Sequence, residues 1–278
     1  MTVLRAACIQ MRSTPDVAPN IESSCALIRA AVAEGAQFIA TPEMTNTLDI
    51  RPGQARPRIK LEDEDTCLKA LRDLARELEV TLLVGSLAIG LKEEERFANR
   101  SFLIAPDGEI LTRYDKIHMF DVEVGDGQAY RESKAYRAGA SARVTQTPIG
   151  NIGMTICYDV RFPHLYRALG QAGADLITVP AAFTRVTGSA HWHVLLRARA
   201  IETGCFILAP AQGGQHEDGR ETYGHSLIVS PWGDIIAEAD HDEPGFIVAD
   251  LELEHVAKAR RRIPSLHNDQ KILMELEE

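Results

Sequence analysis

Apolar positions recur along this chain with two periods, one near two residues and one near three and a half. Residues 3–10 alternate loosely and predict a first strand. Residues 20–34 place Ile21, Ala26, Leu27, Ile28 and Val32 at helical spacing, and Gly35 supplies a stop. Residues 38–40 predict a short buried strand running into Thr41–Pro42–Glu43. Residues 44–60 are polar and broken by Pro and Gly, which predicts a surface loop able to frame a site. An amphipathic helix follows over 62–79, with Cys67, Leu68, Leu71, Leu74 and Leu78 on its apolar stripe. Strands are predicted at 81–85, 101–105 and 110–114, with a turn at 106–109, and a Gly-bearing loop covers 125–131.

The organising stretch is 149–163, IGNIGMTICYDVRFP. Ile152, Met154 and Ile156 alternate as a strand that ends at Cys157, and Pro163 opens a helix over 164–172. A cysteine between strand and helix can be held out on a tight turn as a nucleophile, or it can pack as a small buried hydrophobe. On this stretch alone the second reading is the simpler one. Further strands are predicted at 175–180, 206–210, 226–230 and 246–250, and helices at 190–204 and 253–262. A turn covers 231–234, and a polar tail closes the chain over 269–278. Strands and helices alternate without a linker, repeat or low-complexity segment, so residues 1–278 read as one α/β domain.

Composition narrows the classes. The 278 residues are 45% hydrophobic and 25% charged, an ordinary globular balance. A net charge of −10 speaks against a nucleic-acid or anionic-membrane surface. Five cysteines (Cys8, Cys25, Cys67, Cys157, Cys205) lack CxxC spacing, which argues against a disulfide framework and a Cys-rich zinc site. The start, MTVLRAACIQ, is too short in apolar residues for a signal peptide, and no run reaches membrane-spanning length. A cytoplasmic protein is the expectation.

Three reactive residues share one setting. Glu43, Lys116 and Cys157 each stand just past a predicted strand, where α/β folds collect ligand and catalytic groups. A carboxylate can take a thiol proton and an ammonium can stabilise an oxyanion, which together suit acyl transfer through a thioester. Taken singly, Glu43 and Lys116 read as solvated loop charges.

Longer strings decide between these readings. PEM at 42–44, YDKIHMFDVEV at 114–124 and CYDVRFPHLYR at 157–167 resemble the three signatures of the nitrilase superfamily of carbon–nitrogen hydrolases. The likeness continues through TGSAHWHVLLRARAIE at 187–202 and YGHSLIVSPWG at 223–233. It implies a four-layer αββα sandwich with two mixed sheets between helix layers. It also implies a general base at Glu43, a cationic stabiliser at Lys116, a nucleophile at Cys157 and a second glutamate at Glu132. The thiolate would attack a carboxamide, with the oxyanion held by Lys116 and the backbone N–H of Tyr158. A water activated by Glu43 would then cleave the thioester.

The resemblance implies no cofactor, a small-molecule amide as substrate, and a homodimer or higher homo-oligomer, with 190–204 and the C-terminal segment as the candidate dimer face. The strings look most like the nitrilase-like branch, whose amidases act on deaminated glutathione or, as ω-amidases, on α-ketoglutaramate. Residues 211–226, AQGGQHEDGRETYGHS, look closer to the former. An N-carbamoyl amide hydrolase and a non-catalytic binding member of the fold remain alternatives. The sequence departs from the branch at His164, where Glu is usual, and at 124–128, which lack a common Pro.

Asp159 and Arg161 read as a pair ordering the nucleophile turn, with Arg161 meeting a substrate carboxylate as the second option. His191, His193 and His225 could be metal ligands, but positions i and i+2 of one helix face apart, so packing around Trp192 is expected and no metal. Arg197, Arg199 and the 260–262 run read as charged helix faces or interface partners.

Overall fold

The structure is a computed structural model, described over residues 3–51, 53–125 and 129–276. Two six-stranded sheets face each other. The first runs, in spatial order, Gly245–Glu252, Val3–Gln10, Phe38–Ala40, Thr81–Gly90, Phe97–Ile104 and Ile110–Asp115. The second runs Ile235–Glu238, Leu227–Val229, Phe206–Ala209, Leu176–Thr178, Gly150–Met154 and Arg143–Thr147. Each sheet has three parallel strands flanked by antiparallel ones, so both are mixed.

The period-two alternation explains the layering. On Val3–Gln10, Leu4, Ala6 and Cys8 point to the second sheet and pack with Ile152, Met154 and Leu176. Ala7 and Ile9 point the other way, onto helices α1 (Val17–Ala33) and α2 (Thr66–Leu78). Helices α3 (Pro163–Gln171) and α4 (Arg185–Thr203) cover the far face of the second sheet through Leu165, Leu169, Trp192 and Leu196. The result is the expected αββα sandwich. The fifth helix, α5 (Glu254–Arg262), lies near the end of the chain.

Several boundaries differ from expectation, each for a local reason. Helix α2 starts at Thr66 rather than 62, because the Asp65 side chain accepts the Leu68 N–H at 2.7 Å and caps it. Helix α4 starts five residues early, capped by Thr184. The strand expected to reach Cys157 ends at Met154. Its pairing continues irregularly, through Thr155 N–H to Thr178 O at 3.1 Å and Cys157 N–H to Pro180 O at 2.9 Å. The expected loop at 125–131 includes a short strand, Ala129–Arg131, while 126–128 lie outside the described residues.

The stretch 44–60 is not wholly a surface loop. Met44–Leu48 are buried, and Asn46 exchanges hydrogen bonds with the Ala88 backbone. The tail is not wholly polar either: Ile272, Leu273 and Met274 are exposed.

One irregularity in the first sheet aims a later site residue. Strand pairing shifts between Val84 and Leu87, leaving Gly85 and Ser86 to grip the segment after Phe38–Ala40. Ser86 N–H donates to Pro42 O, and Met44 N–H donates to Ser86 Oγ. A Cβ on Gly85 would sit 1.8 Å from Thr41 O and 2.6 Å from Pro42 O, so only glycine fits. We expect Gly85→Ala to lose more than about 3 kcal/mol, read as a lowered urea midpoint, because the colliding atoms are backbone.

Candidate active site

The sheet ends deliver four side chains to one cavity of about 560 Å³. Glu43 follows Phe38–Ala40, Lys116 follows Ile110–Asp115, Cys157 follows Gly150–Met154, and Glu132 follows Ala129–Arg131. Lys116 is held in place from its own strand: Asp115 makes a two-pronged pair with Arg100 at 2.6 and 2.9 Å, and Lys116 N–H donates to Asn99 O.

The Lys116 ammonium lies 2.9 Å from Glu43 Oε1 and 2.9 Å from Glu132 Oε2. Asn99 Nδ2 bridges the same carboxylates, at 2.9 Å to Glu43 and 3.1 Å to Glu132. Two backbone N–H groups complete the shell, Ala182 to Glu43 Oε2 at 2.8 Å and Phe120 to Glu132 Oε2 at 2.7 Å. Lys116 and Glu43 are 2% and 4% exposed, so water does little to screen them.

Partner charges override burial at the carboxylate and the ammonium, and burial governs the thiol. Burial alone would raise the Glu43 carboxyl, but the adjacent Lys116 ammonium, with Arg220 further off, holds it below the usual range. Burial works against the Lys116 charge, yet Glu132 and Glu43 push its pKa well above the ordinary value. Burial, and next the Glu43 carboxylate, push the Cys157 thiol up. The resting site therefore holds a neutral thiol in the same cavity as an ionised carboxylate and an ammonium.

A pH dependence follows from these signs. Glu43, ordinarily near 4.5, is depressed, so its ionised form and the stability it confers persist above that value and are lost only as pH falls below it. The raised thiol removes any upward step near its ordinary pKa. We expect kcat/KM to stay flat from about pH 5 to 9 and fall only below about pH 4.5. Circular dichroism on the same samples separates titration from acid unfolding.

Cys157 opens a single 3-10 turn, Cys157–Arg161, with φ at +48°, a conformation few non-glycine residues adopt. Asp159, fully buried, holds that turn. It accepts Ile156 N–H at 2.9 Å, the Tyr114 hydroxyl at 2.6 Å and His118 N–H at 3.1 Å, and contacts His118 Nδ1 at 2.7 Å. Tyr114 and His118 flank Lys116, so one carboxylate ties the lysine segment to the cysteine turn. The expected Asp159–Arg161 pair does not form. Arg161 instead meets His191 Nδ1 at 3.2 Å and lies over the rings of Tyr158 and Phe183, because the turn directs positions 159 and 161 to opposite sides. Tyr158 lines the cavity.

The histidines divide differently from expectation. His191 goes to Arg161, while His193 Nε2 and His225 Nδ1 share Glu238 Oε1 at 2.8 and 3.4 Å. These three lie close enough for one ion, with a glutamate the sequence reading did not include. The imidazoles already have the carboxylate as partner, and the Trp192 indole donates to His225 O, consistent with a packing role.

Asn99, the Ala182 N–H and Arg220 were not identified in the sequence. Asn99 lies before the strand predicted at 101–105, in a polar run with Arg100 and Ser101, so nothing local singled it out.

Comparison with known proteins shows the family. The carbon-nitrogen hydrolase family model matches residues 5–261. A deaminated glutathione amidase from Synechocystis sp. is 41% identical over 270 residues, covering 95% of this chain and 97% of that protein. The structure of the C. elegans NitFhit protein superposes with a TM-score of 0.88 at 32% identity, over 96% of this chain and 65% of that one. An amidase of the nitrilase superfamily from Nesterenkonia sp. AN1, with acrylamide added at its active-site cysteine, gives a TM-score of 0.78 at 28% identity. It covers 94% of this chain and 98% of that one.

Proposed function

The chain belongs to the carbon–nitrogen hydrolase family, and from that premise we propose that Cys157, Glu43, Lys116 and Glu132 carry out thioester-mediated amide hydrolysis on deaminated glutathione. The observation that carries the chemistry is the buried Lys116 ammonium, hydrogen-bonded to two carboxylates beside a neutral thiol. Glu43 takes the Cys157 proton as sulfur attacks the carbonyl. Lys116 and the Tyr158 N–H stabilise the oxyanion. Glu43 passes its proton to the leaving amine, and the acyl group stays on sulfur. A water, deprotonated by Glu43, attacks the thioester; the acid leaves and the proton returns to Cys157. Glu132 keeps Lys116 charged and aimed through both half-reactions. The substrate reading rests on the relative from Synechocystis and on a cavity roomy enough for a tripeptide-sized amide.

Product analysis with intact-protein mass spectrometry tests this reading. Deaminated glutathione, α-ketoglutaramate and N-carbamoyl-β-alanine are offered separately. We expect α-ketoglutarate and cysteinylglycine from the first, with a transient acyl mass on the Cys157 peptide. Turnover of only another amide would overturn the substrate and keep the chemistry. We further propose cytoplasmic action as a homodimer through α4 and α5, where Ile201, Trp232 and Ile263 leave a partly exposed apolar groove. Light scattering at micromolar concentration should give twice the chain mass, and a monomer mass would refute the pairing.

A further inference from the structure

Arg220 enters the same cavity on the hairpin that joins Gly213–Gln215 to Glu221–Tyr223. The hairpin is stiff. His216 N–H donates to Arg220 O at 2.8 Å, and Asp218 accepts from both Arg220 N–H and Ile50 N–H. The buried His216 ring bridges Ser13 O and the Thr222 hydroxyl. The guanidinium donates through Nη2 to Ala182 O and lies 5.8 Å over the Tyr130 ring. Ala182 is the residue whose N–H holds Glu43, and the Pro180 carbonyl two positions earlier receives the Cys157 N–H. Arg220 thus shares a rigid floor with the nucleophile and its base.

Its charge has an unfinished set of partners. Among the described residues no carboxylate lies within ion-pair distance of Arg220, and its buried Nε–H has no acceptor. A buried donor left in that state loses its hydration without recompense. Of the other cavity arginines, Arg51 pairs with Asp49 and Arg131 with Glu123, while Arg56, which also reaches one backbone carbonyl (Glu95 O) and one ring (Phe97), lies on the 44–60 stretch away from the 180–182 floor. Among the described residues, Arg220 lines the cavity beside the reacting groups with a guanidinium that no carboxylate neutralises, and its planar fork suits a carboxylate.

We propose that Arg220 is the residue that binds the carboxylate on the acyl side of the substrate. This rests on the amidase reading above and assigns the side chain that recognises the acid group of that substrate. The acyl half reacts at Cys157 in both half-reactions, bonding to sulfur in the first and leaving it in the second, so its anchor gains most from a fixed position beside that residue. Arg51 and Arg56, on the 44–60 stretch, have no comparable tie to the 180–182 floor.

The test compares three amides: deaminated glutathione, its ester at the 2-oxo acid carboxyl, and its amide at the glycine carboxyl. For the wild type, we expect esterification to lower kcat/KM about 10²-fold, and in R220Q the acid-to-ester ratio to fall close to one. R220K should retain part of the ratio. A structural role would lower all three substrates alike and leave the ratio intact, which would overturn the proposal. So would an R220Q variant that lost selectivity only toward the glycine carboxyl. So would one that merely moved the acid limb of the pH profile, which would show Arg220 serving Glu43. Calorimetry with glutarate gives a readout free of turnover: C157A/R220Q should bind about 10²-fold more weakly than C157A. If the wild type cleaves none of the amides, the substrate reading fails, and the glutarate result alone decides the role of Arg220.

Discussion

Cys157→Ala protein should show no turnover above background and no acyl mass, with its urea midpoint almost unchanged. In the proposed mechanism the thiol is the group that bonds to carbon, so its loss should remove both half-reactions together, a fall of about 10⁵–10⁶ in kcat by analogy with nucleophile deletions elsewhere. Stability should hold for two reasons. The left-handed backbone at Cys157 strains alanine as much as cysteine, and the turn is held by Asp159 rather than by sulfur. A Cys157→Ser variant keeps a hydroxyl near Glu43, but a serine hydroxyl gives up its proton far less readily than a thiol, so it should also be nearly inactive. Initial rates with denaturant titration separate chemistry from folding.

Lys116→Met is the second large effect, and it should strike rate and fold together. Losing one oxyanion donor costs roughly 10²–10³ in kcat. Removing the ammonium also leaves Glu43 and Glu132 facing one another in a buried site, an uncompensated charge worth about 3–5 kcal/mol of stability. The two carboxylates would then compete for a proton, lifting the acid limb of any residual activity above its wild-type position. A Lys116→Met/Glu132→Gln double variant relieves the repulsion. It should recover much of the urea midpoint and little of the rate, which distinguishes the ammonium's electrostatic work on the substrate from its support of the fold.

The outline of the sandwich was legible because its cues are local. Alternation in residues 3–10 and the apolar stripe of α2 can be read within one window, as can the Pro163 helix start. Glu43, Lys116 and Cys157 were legible for a different reason: each is embedded in a long string whose order is distinctive, and the structure brings them and Glu132 to one cavity. What escaped depends on contacts between distant segments. The partner of Asp159 is set by sheet-to-sheet docking, which puts Tyr114 and His118 nearer than Arg161. The Ala182 N–H has no side-chain signature at all. Arg220 sits in a polar hairpin that reads as any exposed turn until the cavity is seen. The 44–60 stretch misled because its polarity serves buried backbone: Asn46 and Thr47 satisfy carbonyls inside the protein.

The origin of the reacting groups has a wider consequence. Glu43 and Lys116 leave the first sheet, Cys157 leaves the second, and Asp159 clasps the two. Neither half of the chain alone contains all the residues of the proposed centre. On the proposed roles, a nascent chain released before the second sheet docks would carry a base and a cation but no nucleophile in place, so hydrolysis should begin only once the two sheets have docked. The same division makes the protein a natural split reporter. Two fragments parted between Ile110–Asp115 and Arg143–Thr147 would each be silent, and regained amide cleavage would time the closing of the sandwich.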